Sequence, residues 1–306
     1  MRHNGSRSPR MQPRMITGFT DIHSHGGGGF SFGDQNPENI ETALAVHRDH
    51  GTSTQIASLV TEPIDTLKFQ IKNLIPFVEN KSIAGIHLEG PYLSHAKCGA
   101  HDPTLLRNPQ LDEIKEIVEI GQGHIRMVTL APELPGAVSA IEYLRSQGVA
   151  VALGHSDATE EEAIRGIEAG ATIVTHMFNG LPEFNHREGT ITNALLTNPD
   201  IFFEIILDGV HVNHSAMALM LKIAPRRIIL VTDAMAAAGG SDGSYTIGAL
   251  EVNVSGGIAT LKSNGSLAGS TLTMDSAYNR LLTEFEISVE DAQWAAIDLG
   301  KKALGI

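Results

Sequence analysis

The residues with the most chemical content lie at the ends of apolar runs. Asp21-Ile22-His23-Ser24-His25 closes the first of them. Two histidines one residue apart project to the same side of an extended segment, because side chains alternate with period two. Both imidazoles can therefore reach one divalent ion. Glu89 follows Ile83–Leu88, His155 follows Val149–Gly154, His176 follows Ala171–Thr175 and Asp233 follows Ile228–Thr232. Imidazole nitrogen and carboxylate oxygen are the donors of zinc-type sites, and a catalytic site keeps one position open for water. Binding to an ion brings the pKa of such a water to about 7. Glu89 either bridges two ions or completes a His₂Glu set with His155 and His176, while His23 and His25 can hold a second ion. Asp233 is placed to take a proton from the water and return it to a leaving group. The chemistry expected is metal-assisted hydrolysis of a C–N bond. Zn is the first expectation for the ion, with Fe, Mn and Co accepted by the same donors.

Such side chains need a scaffold that brings many strand ends together. Eight candidate strands run over 16–22, 54–60, 82–88, 125–130, 149–153, 172–175, 201–207 and 228–232. Several are continuous apolar runs, as expected for parallel strands covered on both faces. Helix-like segments separate most of them, at 37–50, 66–79, 112–119, 136–147, 159–169 and 214–223. The alternation predicts an α/β fold, a (β/α)₈ barrel whose functional residues gather at the carboxyl face. Beyond it, 246–261 is rich in β-formers with a turn at Ser255-Gly256-Gly257, and 270–284 and 289–304 read as helices. Residues 16–306 are expected to form one catalytic domain. Residues 1–15, with Arg2, His3, Arg7, Arg10 and Arg14 and no apolar core, read as a disordered extension rather than a secretory signal.

The composition narrows the partners. A formal charge of −13 over 306 residues argues against nucleic acid or anionic membrane as a partner of a broad surface. No stretch approaches transmembrane length, and with Cys98 as the only cysteine no intrachain disulfide forms. The expected location is the cytoplasm. Gly26–Gly29 lacks the Lys-Ser/Thr of a phosphate loop and is read as a tight turn beside the metal. His47, His50 and His124 lack a strand-end placement and are assigned to the surface or to helices.

The strings Gly85–Pro91, Lys97–Pro103, Thr129–Glu133, Gly154–Thr159, Thr175–Gly180, Asp208–Val212 and Val231–Met235 resemble those of the N-acetylglucosamine-6-phosphate deacetylases of the amidohydrolase superfamily. The likeness runs from about Ile16 to the end of the chain. It implies that Glu89, His155 and His176 bind the primary ion and that Asp233 is the catalytic acid and base. His23 and His25 match a His-x-His that some family members carry, often with a second ion. The resemblance further implies sugar contacts from Ala100, His101, Asn179, Gly180, Leu267, Ala268 and Gly269. It gives phosphate contacts to Arg187 and His211, which in family members can reach a neighbouring subunit's site, so a homodimer is expected. A planar guanidinium suits phosphate, and His101 can hydrogen-bond the acetamide or its developing oxyanion.

The match is incomplete. Typical members carry a small β-sandwich domain built from both ends of the chain, and this sequence reads as a short form without it. The loop at His186-Arg187-Glu188-Gly189 lacks the usual proline, and Ile297–Lys302 replaces the family's string near the last helix. The lead expectation is an enzyme that deacetylates N-acetylglucosamine 6-phosphate to glucosamine 6-phosphate and acetate. An amidohydrolase of another N-acyl or cyclic amide, and a non-catalytic sugar-phosphate sensor, are the alternatives.

Overall fold

A computed structural model describes residues 17–306; the expected extension 1–15, and Ile16 with it, lies outside the described residues. Eight parallel strands pair in chain order: β1 (Phe19–Asp21), β2 (Thr52–Leu59), β3 (Gly85–Glu89), β4 (Ile125–Leu130), β5 (Ala150–Leu153), β6 (Ile173–Val174), β7 (Phe202–Ile206) and β8 (Ile228–Val231). Each overlaps the segment expected for it. β3 to β8 are almost wholly buried because helices cover their outer faces. These are α1 (Pro37–Asp49), α2 (Ile64–Glu79), α3 (Leu111–Ile120), α4 (Ala137–Ser146), α5 (Glu160–Glu168), α6 (Ile191–Thr197) and α7 (His214–Ile223).

The seam between β8 and β1 is closed differently from the other edges. The Asp233 N–H donates to the His23 carbonyl at 2.8 Å. The buried Asp21 carboxylate accepts from the Thr232 N–H at 3.3 Å and from its hydroxyl at 2.5 Å. Under the strand ends lies a polar floor rather than a purely aliphatic one. Ser58 Oγ meets His87 Nδ1 at 2.9 Å, His87 Nε2 meets Thr129 Oγ1 at 2.8 Å, and Thr129 meets Thr175 at 2.8 Å. Burial holds His87 well below the usual imidazole pKa, so it serves as a neutral bridge.

Three departures from the sequence reading have local causes. Helix α6 was not expected; it is short and starts on a capping box formed by Thr190 and Asn193. The helix read at 270–284 begins only at Met274, as α8 (Met274–Glu284), because Ser270 instead pairs with the Asp233–Met235 backbone. The segment 289–304 is interrupted: α9 (Val289–Gln293) and α10 (Leu299–Leu304) flank a π-type turn over Trp294–Asp298. There the Thr20 hydroxyl donates to the Ile297 carbonyl at 2.7 Å and competes for a helical acceptor.

Between β8 and α8 the chain forms an antiparallel sheet of β9 (Gly243–Ile247), β10 (Leu250–Ser255) and β11 (Ile258–Leu261). The turn expected at Gly256-Gly257 is present, with φ of +60° and +77°, the left-handed values a tight hairpin needs. Val252 and Val254 point inward with Leu261 and Ala268 onto a second, smaller core.

Candidate metal centre

Five histidine Nε2 atoms converge on one carboxylate. Glu89, the last residue of β3, has Oε1 at 3.1 Å from His176, 3.2 Å from His155 and 3.5 Å from His23. Its Oε2 lies 3.2 Å from His25 and 3.4 Å from His101. Asp233 closes the ring, with Oδ1 at 3.2 Å from His25 and 3.5 Å from His23. Two subsets bring one donor atom per residue within 4.8 Å of one another: His23, His25, Glu89 and Asp233, and Glu89, His101 and His155. The sequence-predicted donors are thus together, and His101, expected only as a hydrogen-bonding group, stands equally close.

The donor set fits a divalent ion. His155 Nδ1 donates to the Lys97 carbonyl at 2.8 Å, and His23 Nδ1 donates to Glu204 Oε2 at 2.9 Å. A neutral imidazole has one N–H, so in that form both rings turn a lone pair inward at Nε2. His155 Nε2 lies 3.0 Å from His176 Nε2, and His23 Nε2 lies 3.1 Å from His25 Nε2. Facing lone pairs at such distances repel unless a cation or a shared proton lies among them. Burial opposes ionisation of Asp233, yet His23 and His25 outweigh it and hold its pKa down to about 2. Burial likewise disfavours a charged His25, but Asp233 and Glu89 raise it to about 9.

The backbone is bent to present these groups. His155 (φ +46°), His176 (φ +26°) and Asp233 (φ +48°) all sit in the left-handed region just past their strands. Strain of this kind persists only where surrounding structure over-determines it. Gly99 and Gly180 flank the His155 ring; a Cβ at either would stand 2.9 Å from a ring atom.

A cleft of about 330 Å³ opens over the carboxylate, within the range of small-ligand sites. His25, Glu89, His101, His155, His176 and Asp233 form its polar end, and Ala100, Asn179, Gly180, His211, Leu267 and Gly269 line it as the sequence suggested. Ile247 and Ser266 also line it and were not foreseen. Both come from the region of the small sheet, whose sequence carries no catalytic motif. Two expected contacts are placed elsewhere. The Ala268 side chain is buried in the second core beneath the sheet, because the alternation that exposes Leu267 turns its neighbour inward. Arg187 is exposed on the loop before α6 and does not line the cleft of its own chain. His211 does, and its Nδ1 meets Asp208 Oδ2 at 2.6 Å. Burial works against a charged His211, but this hydrogen bond and the Asp208 charge raise its pKa.

Glu204, which contacts His23 and His176, and Asp208, which contacts His211, are the acidic neighbours of these residues that the sequence reading missed. A lone acid inside the aliphatic run 201–207 was itself a signal, since a buried charge requires a partner. His47 is on a helix as assigned, but it is buried, donating Nε2–H to the Gly26 carbonyl at 3.0 Å. Gly26–Gly27 pairs with Phe30–Ser31 in the expected tight turn.

No family model matches the chain. The N-acetylgalactosamine-6-phosphate deacetylase of Escherichia coli O157:H7 is 38% identical over 269 residues, covering 86% of this chain and 71% of that protein. The N-acetylglucosamine-6-phosphate deacetylase of Vibrio furnissii is 32% identical over 296 residues, covering 95% and 74%. Among solved structures, a mutant N-acetyl-D-glucosamine-6-phosphate deacetylase from Mycobacterium smegmatis in complex with N-acetyl-D-glucosamine-6-phosphate superposes with a TM-score of 0.92 at 38% identity. That match covers 99% of this chain and 82% of the other. Two relatives are thus above 30% identity, each covered over more than two thirds of its length. The chain belongs to the N-acetylglucosamine-6-phosphate deacetylase family.

Proposed function

We propose that the protein hydrolyses the acetamide of N-acetylglucosamine 6-phosphate, releasing acetate and glucosamine 6-phosphate. The observation that carries this reading is the convergence of five Nε2 atoms on Glu89, with Asp233 beside His25, at the floor of a cleft lined also by His211, whose pKa Asp208 raises. The 4-epimer, N-acetylgalactosamine 6-phosphate, is the second reading, favoured by the name of the relative that is 38% identical.

In this reading Glu89, His155 and His176 hold a primary divalent ion, Zn first among the candidates, and His23 and His25 a second. When bound, the metal supplies Lewis-acid polarisation of the acetamide carbonyl and acidifies the attacking water. Asp233 accepts the proton of that water and later delivers it to the sugar nitrogen as the C–N bond breaks. His101 steadies the carbonyl oxygen. Its Nδ1 faces the Thr61 hydroxyl at 2.9 Å and the Thr61 N–H at 3.4 Å. That puts the hydrogen on Nε2, which faces the Glu89 carboxylate at 3.4 Å at the floor of the cleft. Burial lowers the His101 pKa to about 4 despite Glu89, so it is an uncharged donor near neutral pH. His211, its pKa raised by Asp208, meets the phosphate, while Asn179, Gly180, Ala100, Leu267 and Gly269 frame the sugar. Ala268 contributes through the backbone.

Arg187 completes phosphate binding from a second subunit of a homodimer; its exposure outside its own cleft supports that assignment. Residues 16–306 act as one catalytic domain, supported by Ile247 and Ser266, which the small sheet contributes to the barrel-mouth cleft. Among the described residues no helix is long and apolar enough to cross a membrane, and a cytoplasmic location is part of the proposal. Asp233→Asn tests the reaction: turnover falls by about 10³-fold or more while metal content stays at the wild-type level. Near-normal acetate release from that variant overturns the assignment.

A further inference from the structure

Glu204 is a fully buried carboxylate on β7, flanked in sequence by Phe203 and Ile205. The reaction described above makes no use of it. An ionised acid in such a place is retained only if something compensates it. Its Oε2 makes two contacts, with His23 Nδ1 at 2.9 Å and with the backbone N–H of His176 at 3.2 Å. Its Oε1 has no partner among the described residues. All its compensation therefore comes from two residues of the metal cluster, one after β1 and one after β6.

A backbone N–H can only donate and a carboxylate can only accept, so the His23 nitrogen facing Glu204 carries its hydrogen. The other nitrogen, Nε2, faces His25 Nε2 at 3.1 Å and Glu89 and Asp233 at 3.5 Å each. Were the hydrogen on Nε2 instead, His23 would present a donor to a group of metal ligands and could not ligate through that atom.

We propose that Glu204 is the positioning residue that keeps the His23 hydrogen on Nδ1 and so gives the His23/His25 half of the centre an ion of its own. The inference rests on the metal-dependent reading above. Its second contact serves the same end. His176 has φ +26°, and the carboxylate fixes its N–H where the chain turns into the cleft, so one buried charge sets both the ring from β1 and the backbone after β6. A carboxylate behind a ligating histidine is the arrangement whose loss typically weakens metal binding 10–100-fold.

The test uses the full chain, with zinc as the probe. Wild-type protein and Glu204→Gln are loaded with zinc, dialysed and analysed for metal content, then titrated for the affinity of each ion. Wild type should hold two ions per chain. Glu204→Gln should hold one tightly and bind the second about 10–100-fold more weakly, because the neutral amide oxygen that must accept from the His176 N–H at this position is a weaker acceptor for the Nδ1 hydrogen than the carboxylate. His23→Gln should lose the second ion as well, and adding Glu204→Gln to it should cost nothing further. Nitrogen NMR of labelled histidine, assigned with His23→Gln, should show His23 Nδ1 protonated in the wild type both without and with zinc. That measurement decides the matter if Glu204→Gln does not fold. Equal binding of two ions by wild type and Glu204→Gln, an unprotonated His23 Nδ1, or a wild type that holds only one ion would each overturn the inference. A wild type that binds no zinc overturns the metal reading itself, which keeps the two failures distinct.

Discussion

The Asp233 N–H donates to the carbonyl of His23 at 2.8 Å, so the last acid of the cluster is stitched by backbone to its first histidine. The barrel closes where its chemistry is concentrated. Asp21 reinforces the join from below, accepting from the His23 N–H at 3.2 Å as well as from Thr232. Removing that carboxylate leaves three buried donors short of a partner. Asp21→Ala should cost about 2–4 kcal/mol of stability in urea unfolding and lower kcat, because His23 and Asp233 lose their register. A variant with wild-type stability shows that the seam does not depend on Asp21.

The glycines around His155 should be intolerant for a reason separable from backbone strain. Gly180→Ala places a Cβ 2.9 Å from His155 Nδ1 at a φ of +62°. Gly123 has φ +78° with nothing within 4 Å, so Gly123→Ala carries the strain alone. Both should lose about 1–2 kcal/mol. Only Gly180→Ala should also lose about 10²-fold in activity through the displaced ring. Parallel losses of activity in the two variants refute the account of that contact.

Phosphate recognition should depend on Asp208 through His211. The raised pKa of His211 keeps it cationic above the ordinary imidazole range, and binding weakens as pH rises through that raised value. Asp208→Asn should raise KM for the phosphorylated sugar about tenfold, leave kcat nearly unchanged and move the KM rise to lower pH. Unphosphorylated N-acetylglucosamine should be indifferent to the change. An equal effect on both sugars contradicts the role.

His47 should set part of the acid limit of stability. Burial depresses its pKa from 6.5 to about 4 in the folded chain, against the Gly26 carbonyl and helped by nearby His50. Its stabilising contribution is present above pH 6.5. As pH falls toward 4 the unfolded chain takes up a proton that the folded one refuses, removing about 3 kcal/mol. His47→Gln should flatten the stability profile across that window, measured by urea unfolding at a series of pH values. An unchanged slope contradicts the assignment.

Much of the molecule was legible because its strands are continuous apolar runs whose last residue is polar. Ile125–Leu130 and His214–Ile223 are found at the expected bounds, since one is a buried strand between turn residues and the other starts on an Asn213 cap. What was missed depends on contacts between distant segments. α6 has only seven residues, too few for a helical period to stand out. The break at Trp294–Asp298 comes from a hydroxyl 277 positions away. The cluster's donors were readable from residue type and strand-end position. Glu204, Asp21 and Asp208 were not, because each acts by holding a neighbour and their roles appear only once β1, β7 and β8 are brought together. Ala268 shows the opposite limit: a match of sequence strings cannot tell which of two adjacent residues faces a cleft.

The central claim is that this cleft removes the acetyl group from a phosphorylated amino sugar. The most direct measurement is acetate release by zinc-loaded protein from N-acetylglucosamine 6-phosphate, N-acetylgalactosamine 6-phosphate and unphosphorylated N-acetylglucosamine. The account predicts stoichiometric acetate from the first, a ratio between the two epimers that fixes specificity, and kcat/KM at least about 10²-fold lower without the phosphate. Binding of the phosphorylated sugars with no acetate released from either would contradict it.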